Sequence, residues 1–276
     1  MEERPNRYVL WEMTWPELEA ASNEITLVVI PVGSTEQHGP NSTFGTDSIR
    51  AYEFALRLAE RLYPEVLVAP VMPYGISPHH MGFPGTITLS AETFMQVLFE
   101  VVQSLTQHGF ERFLFLNGHG GNRPALELVS ARIRRELDVI AAWVSITELA
   151  SDVARRRKRA EVTGHACEIE TSQLLYLAPW AVRHDALSPG ELLGQEYPHA
   201  QWSGPVHVPY LFEEITANGA LGDARAASAE LGQELIETAL DRLVEFIEAF
   251  VEDELTYEEE FEDFSEDEDF TEDEDE

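Results

Sequence analysis

The sequence predicts an α/β fold, a three-layer α/β/α sandwich built on a mainly parallel sheet. Three observations predict it. Short apolar runs rich in β-branched residues alternate with longer stretches whose apolar residues recur at helical spacing. The short runs are apolar throughout, as strands covered on both faces must be. Glycine-rich polar turns follow two of them, at the edge where sheets of this class collect ligands. A chain of 276 residues can bury one large core. Residues 1–251 are read as a single domain, followed by an acidic disordered tail over 252–276.

In chain order, Thr14-Trp15-Pro16-Glu17 opens a short helix, the proline suiting its first turn and the glutamate its positive end. Residues 25–32 form the first strand, followed by the turn Gly33-Ser34-Thr35-Glu36-Gln37-His38-Gly39-Pro40 and a helix from Asp47 to Ala59. A second strand at 66–71 leads into a proline- and glycine-rich loop carrying His79 and His80, which can wall a pocket. Ser90 caps a helix over 91–107, which stops at His108-Gly109. The third strand, 112–116, runs into Asn117-Gly118-His119-Gly120-Gly121-Asn122, and Pro124 opens a helix through Arg135. A fourth strand spans 139–146, with Trp143 read as strand core, and Arg155-Arg156-Arg157-Lys158-Arg159 reads as a mobile or surface stretch. Gly164 to Ser172 leads into an apolar helix at 173–177, residues 179–222 are loop-rich, and Asp223 caps a last helix over 224–251.

The net charge of −33 has two sources. Of 51 acidic residues, 17 lie in 252–276, and the remaining 34 against 18 basic residues leave −16 on the rest. Lys158 is the sole lysine. An arginine-only, carboxylate-rich surface suits concentrated salt, where a Debye length of about 3 Å screens self-repulsion, so the expectation is a halophilic source. The same charge excludes a nucleic-acid partner, since phosphate binding needs a basic face. No run of about 18 apolar residues and no signal-like start occur, so the expectation is a cytoplasmic protein with no membrane partner. With Cys167 as the single cysteine, no intramolecular disulfide can form and a cysteine zinc site is disfavoured.

Glu36 and His38, two apart in an extended segment, project to one side, and a carboxylate beside an imidazole suits a divalent transition metal. Singly, each ligand-type residue has a plainer reading: Asp47 as a helix cap, His119 as a satisfied turn histidine, Glu168 or Glu170 as an exposed helix charge. Three glycine-embedded turns supplying such residues together point to a metal site, because glycine permits close backbone approach. At these residues the sequence resembles the creatininase family. Gly33 to Gly39 and Gly45-Thr46-Asp47 match its first block, and Phe83-Pro84-Gly85-Thr86, Asn117 to Asn122, His165-Ala166 through Glu170-Thr171-Ser172, and Gly219 to Asp223 follow in order. The resemblance covers about residues 8–250.

What the resemblance implies is an amide hydrolase using two divalent metal ions per chain, zinc first, with manganese or iron as alternatives. It puts Glu36 and His119 on one ion, His38 on the other and Asp47 across both. His165 is implied as the acid that protonates the leaving nitrogen, with Glu170 beside it. His80, Asn117, Gly120 and Gly121 are expected at the substrate. In creatinine-hydrolysing members a glutamate stands where this chain has Gly121, so Glu168 is the expected extra metal ligand, with Glu170 open as the alternative. Asn41-Ser42-Thr43 replaces the family's His-Leu-Pro, and the paired tryptophans that cover creatinine have no evident counterpart. The implied reaction is hydrolysis of a non-peptide C–N bond in a cyclic amide or formamide. The alternatives are a peptidase trimming a redox-cofactor precursor, and a non-catalytic metal-binding assembly subunit. A small-molecule substrate and a homo-oligomer, a hexamer by resemblance, complete the expectation.

Overall fold

The computed structural model of the chain describes residues 6–193 and 208–252. Its strands are β1 (Tyr8–Val9), β2 (Leu27–Val32), β3 (Val66–Val68), β4 (Arg112–Asn117), β5 (Ile140–Ser145), β6 (Thr163–His165) and β7 (Leu221–Gly222). Its helices are α1 (Trp15–Ala21), α2 (Thr46–Arg61), α3 (Ala91–Thr106), α4 (Arg123–Leu137), α5 (Ile146–Leu149), α6 (Ser151–Arg157), α7 (Glu168–Leu177), α8 (Phe212–Ile215) and α9 (Ala229–Glu252). The first five strands form one sheet in the order β1-β3-β2-β4-β5, every pair parallel, and β6 and β7 make a small antiparallel pair.

Strand alternation divides the core into two layers. On β2, Leu27 and Val29 face Phe54 of α2 and Leu235 and Leu240 of α9, while Val28, Ile30 and Val32 face Phe94 and Leu98 of α3 and Leu126 of α4. β4 divides the same way, Leu114 and Leu116 on one side and Phe113 and Phe115 on the other. Helices thus cover both faces, as the apolar runs predict.

Local signals set the helix starts. Thr14 and Glu17 form a capping box at α1, and the Ser90 hydroxyl accepts the Thr93 N–H at 3.2 Å at the start of α3. The basic stretch from Arg155 takes the surface alternative: Arg155, Arg156 and Arg157 are exposed in the last turn of α6, where cations suit the negative end of a helix. One expectation is corrected. Asp223 does not start the long helix. Its carboxylate accepts the Arg225 N–H of a single 3₁₀ turn, Ala224–Ala226, and the Ser228 hydroxyl accepts the Leu231 N–H as α9 begins. Trp143 lies on β5 but is only half-buried, its indole N–H donated to Glu127. Apart from Glu252, the last residue of α9, the predicted tail falls outside the described residues, as do residues 194–207 of the loop-rich region.

β2 and β4 are neighbours in register, with Val32 opposite Asn117. The turns that follow them therefore leave the sheet side by side, at the carboxyl edge where the sequence expects a site.

Candidate metal centre

Four elements deliver ligand-type side chains to that edge. The turn after β2 brings Glu36 and His38, the first turn of α2 brings Asp47, the turn after β4 brings His119, and the first turn of α7 brings Glu170. Their ligand atoms gather in groups that could each hold an ion: Glu36, Asp47 and His119 in one, His38, Asp47 and Glu170 in another, with the atoms of each group within 4.8 Å of one another. Asp47 belongs to both. Its Oδ1 lies 3.3 Å from His38 Nε2 and its Oδ2 lies 3.2 Å from His119 Nδ1. Glu36, His38 and His165 make a third group, with Glu36 as its carboxylate.

Hydrogen bonding fits these residues to metal ions. A carbonyl oxygen only accepts, so the ring nitrogen facing one must carry the proton. His38 Nδ1 donates to the Glu36 carbonyl (3.2 Å), His119 Nε2 to the Ile76 carbonyl (3.0 Å) and His165 Nε2 to the Gln37 carbonyl (2.7 Å). Each ring consequently turns its other nitrogen toward the carboxylates, the arrangement by which outer partners orient metal-ligating histidines. His38 Nε2 and Asp47 Oδ2 are buried and make no hydrogen bond, which leaves them open to a cation. Burial alone would lower His38, but Asp47 beside it pushes the imidazole up to about 9. His119, opposed in the same way by burial, is held well above the ordinary histidine range by Glu36 and Asp47. Against the effect of burial, His38 and His119 hold the Asp47 carboxyl well below the usual carboxylate range. Without metal, protons on these histidines supply the positive charge that the carboxylates demand; metal ions would replace those protons.

The residues behind this shell are the ones the sequence reading missed. Arg50, fully buried three residues after Asp47, donates to Glu170 Oε1 at 2.9 Å and to Gln173, while the Ala166 N–H, from a residue at φ 51°, holds Glu170 Oε2 at 2.7 Å. Ser77 donates to Glu36 Oε2 at 2.6 Å. Gln37 reaches His80, His165 and the Gly219 carbonyl. The signal for Arg50 was a lone arginine on the buried face of α2, one turn from Asp47.

Glu168 requires correction as the expected metal ligand. Its side chain is buried elsewhere, its Oε2 accepting the Arg159 and Ala160 N–H groups at 2.7 Å each, so it secures the chain entering β6. Glu170 instead gathers with His38 and Asp47 in one of the candidate groups. Asn117, expected at the substrate, is committed to its own turn: it accepts the His119 N–H and donates to the His119 carbonyl and Ser145 Oγ. His80 borders the cavity but is nearly fully buried, with Nδ1 accepting from Gln37 and Nε2 3.5 Å from Glu36 Oε1. Burial lowers this imidazole to about 2, so it is neutral and its Nε2–H points at that carboxylate. Gly120 and Gly121 line the cavity, and a Cβ at Gly121 would stand 2.2 Å from the Ile76 carbonyl oxygen. That backbone has no room for the glutamate that the family resemblance would put there.

The cavity has a volume of about 680 Å³ and is lined by Glu36, Asp47, His119, His165 and Glu170 and by Tyr210, Leu211 and Phe212, the Phe212 ring packing against His80 and His165. Among the described residues no tryptophan lines it.

Comparison with known proteins gives the same assignment. The family described as "Creatininase: Creatinine amidohydrolase" matches residues 11–247. The chain belongs to the creatininase family. Its relatives include a mycofactocin precursor peptide peptidase from Mycobacterium ulcerans, 32% identical over 84% of each chain. Another is a 3-dehydro-scyllo-inosose hydrolase from Thermotoga maritima, 30% identical over 91% of this chain and 86% of the relative. Among solved structures, a creatininase covers 90% of this chain and 99% of its own at 25% identity and a TM-score of 0.78. Creatininases of a zinc–zinc type and a manganese form match with TM-scores of 0.76 and 0.75. The family is one of metal-dependent hydrolases, and the candidate metal site formed by Glu36, His38, Asp47, His119 and Glu170 is the part of this creatininase-family chain suited to that chemistry.

Proposed function

We propose that this chain hydrolyses an amide C–N bond with two divalent metal ions, for which Asp47 would be the ligand common to both sites. The observation that carries the reading is the sharing of Asp47 between two ligand groups, Glu36 and His119 on one side and His38 and Glu170 on the other. Ions held there would lower the pKa of a shared water and polarise the substrate carbonyl. The protein's own groups do the rest. His165 is kept neutral by burial and by the neighbouring His38, and its Nε2–H is tied to the Gln37 carbonyl. Its Nδ1, 3.6 Å from Glu36 Oε1, therefore carries a lone pair toward the site. In that state His165 takes a proton from the attacking water and then gives it to the leaving nitrogen, a base first and an acid second. His80 and Ser77 hold Glu36 in place from behind.

The family expectation of a small cyclic amide or formamide has a competitor, a peptide bond. The cavity's volume, Gly121 and the absence of a tryptophan from the described lining all suit a larger substrate than creatinine, and a peptidase is among the relatives. The deciding experiment loads the purified chain with zinc or manganese, measures bound metal, and screens formamides, cyclic amides and short peptides. Hydrolysis that disappears with a chelator and in Asp47→Asn is expected. Fewer than about one transition metal per chain, or turnover insensitive to chelation, would sink the proposal.

A further inference from the structure

A second cavity, of about 390 Å³, abuts the first and shares His119, Gly120, Gly164 and Glu170 with it. A Cβ at Gly120, one of the four shared residues, would meet nothing within 4 Å, so there is open space beside it. The two cavities carry opposite charge. Among the described residues, the first is lined by Glu36, Asp47, Glu170 and Glu214 and by no lysine or arginine. The second is lined by Arg123, Arg155 and Lys158, with Glu170 as the only carboxylate among its described lining residues. The chain has only 18 such cations against 51 acids, so three around one small cavity beside the metal centre is a marked concentration.

Most arginines of this protein are drawn into ion pairs, Arg123 with Glu148 among them. Two of the three in the second cavity are not. Lys158 donates to the Glu161 carbonyl and meets no carboxylate among the described residues, and Arg155, exposed at the end of α6, has no partner there at all. Unpaired cations in so acidic a chain leave their charge available, and a cavity with low-dielectric walls concentrates it. Thr147 and Ser151 on the same wall offer hydroxyl donors.

We infer that this second cavity is an anion subsite that receives an oxyanion group of the substrate, a carboxylate or a phosphate, through Arg155 and Lys158 while the scissile amide lies over Asp47. The inference rests on the hydrolase reading for its place in the reaction, but anion binding itself does not. Substrates bearing a negative group on the side facing the second cavity are preferred over neutral ones, and concentrated salt weakens the preference.

The test begins with binding. Inorganic phosphate and succinate are titrated calorimetrically, in dilute salt, into the metal-loaded full chain, into Arg155→Gln, and into the Arg155→Gln/Lys158→Gln double variant. Arg155 is exposed, so its variant keeps the fold, and metal content and melting temperature are checked for both. The expected result is at least about tenfold weaker binding of one or both anions in the double variant, with the single variant between. Equal binding in all three forms, as for phosphate resting on the metal ions alone, overturns the subsite. Hydrolysis then separates the sources. N-formyl amino acids, their neutral carboxamides and N-formyl aminoalkyl phosphates are compared, and the double variant raises KM for the charged series it recognises with kcat unchanged. A response of the carboxylate series or of the phosphate series alone names the group. Loss of neutral and charged turnover alike overturns it. Failure of every form to hydrolyse any amide overturns the hydrolase reading, while the calorimetric comparison still decides whether the anion site exists.

Discussion

Glu168 and Glu170 sit two residues apart in the first turn of α7 and do different work. Glu168 accepts two main-chain N–H groups, and Glu170 stands among His38, Asp47 and Arg50. Hydrogen bonds to a charged group contribute about 1.5–3 kcal/mol, so Glu168→Gln is expected to lower stability by a figure of that order and leave metal content unchanged. Glu170→Ala is expected to lose about half the bound metal at modest cost in folding. Metal analysis alongside denaturant melts checks both, and metal loss in Glu168→Gln would reverse the assignment. Arg50→Met removes the guanidinium that lies between Asp47 and Glu170. Stripping one partner from a buried pair costs about 3–5 kcal/mol, so a large fall in the denaturation midpoint of the metal-free chain is expected. A change below about 1 kcal/mol would show that Arg50 is dispensable there.

At the scale of elements, the contact between α7 and α9 depends on one residue. A Cβ at Gly232 would stand 1.8 Å from the Ser172 carbonyl oxygen. Alanine in a helix interior gains up to about 1 kcal/mol over glycine, whereas forcing apart packed helices costs about 1–3 kcal/mol. The clash wins, and Gly232→Ala is expected to destabilise; a raised melting temperature would refute the close approach. The start of α3 gives a smaller effect, Ser90→Ala costing about 1 kcal/mol through loss of the Thr93 cap. The helices were legible where such local chemistry marks their ends, as Thr14, Ser90 and Pro124 do. Strand β1 and the β6–β7 pair were not, because each is two or three residues long and held by partners distant in sequence, Tyr8 by Leu67 and His165 by Leu221. Neither can show a period.

For the whole molecule, the excess of 51 acids over 18 basic residues is the dominant electrostatic fact. Self-repulsion on that scale favours expansion in dilute salt and is screened in concentrated salt. The melting temperature is expected to rise between about 0.1 M and about 2 M KCl, and to rise less in a chain ending at Glu252, which lacks most of the acidic run. A flat response in both would remove the halophilic reading. Charge also divides the active edge, since carboxylates line one cavity and cations the other. No helix among the described residues is long and apolar enough to cross a membrane.

The sequence by itself determined the α/β class and the four main strands and named Glu36, His38, Asp47 and His119 as candidates, because strand burial writes an unbroken apolar run and the turns after β2 and β4 hold their ligand-type residues within a few positions. Only the tertiary structure decided between Glu168 and Glu170, placed Arg50 beneath the site and turned the Asn117 amide back on its own loop. Those outcomes depend on which way a side chain points and on partners more than a hundred residues away, as Arg50 and Glu170 are. The register of β2 against β4 brought the two turns together, and it is a property of the assembled sheet rather than of either strand.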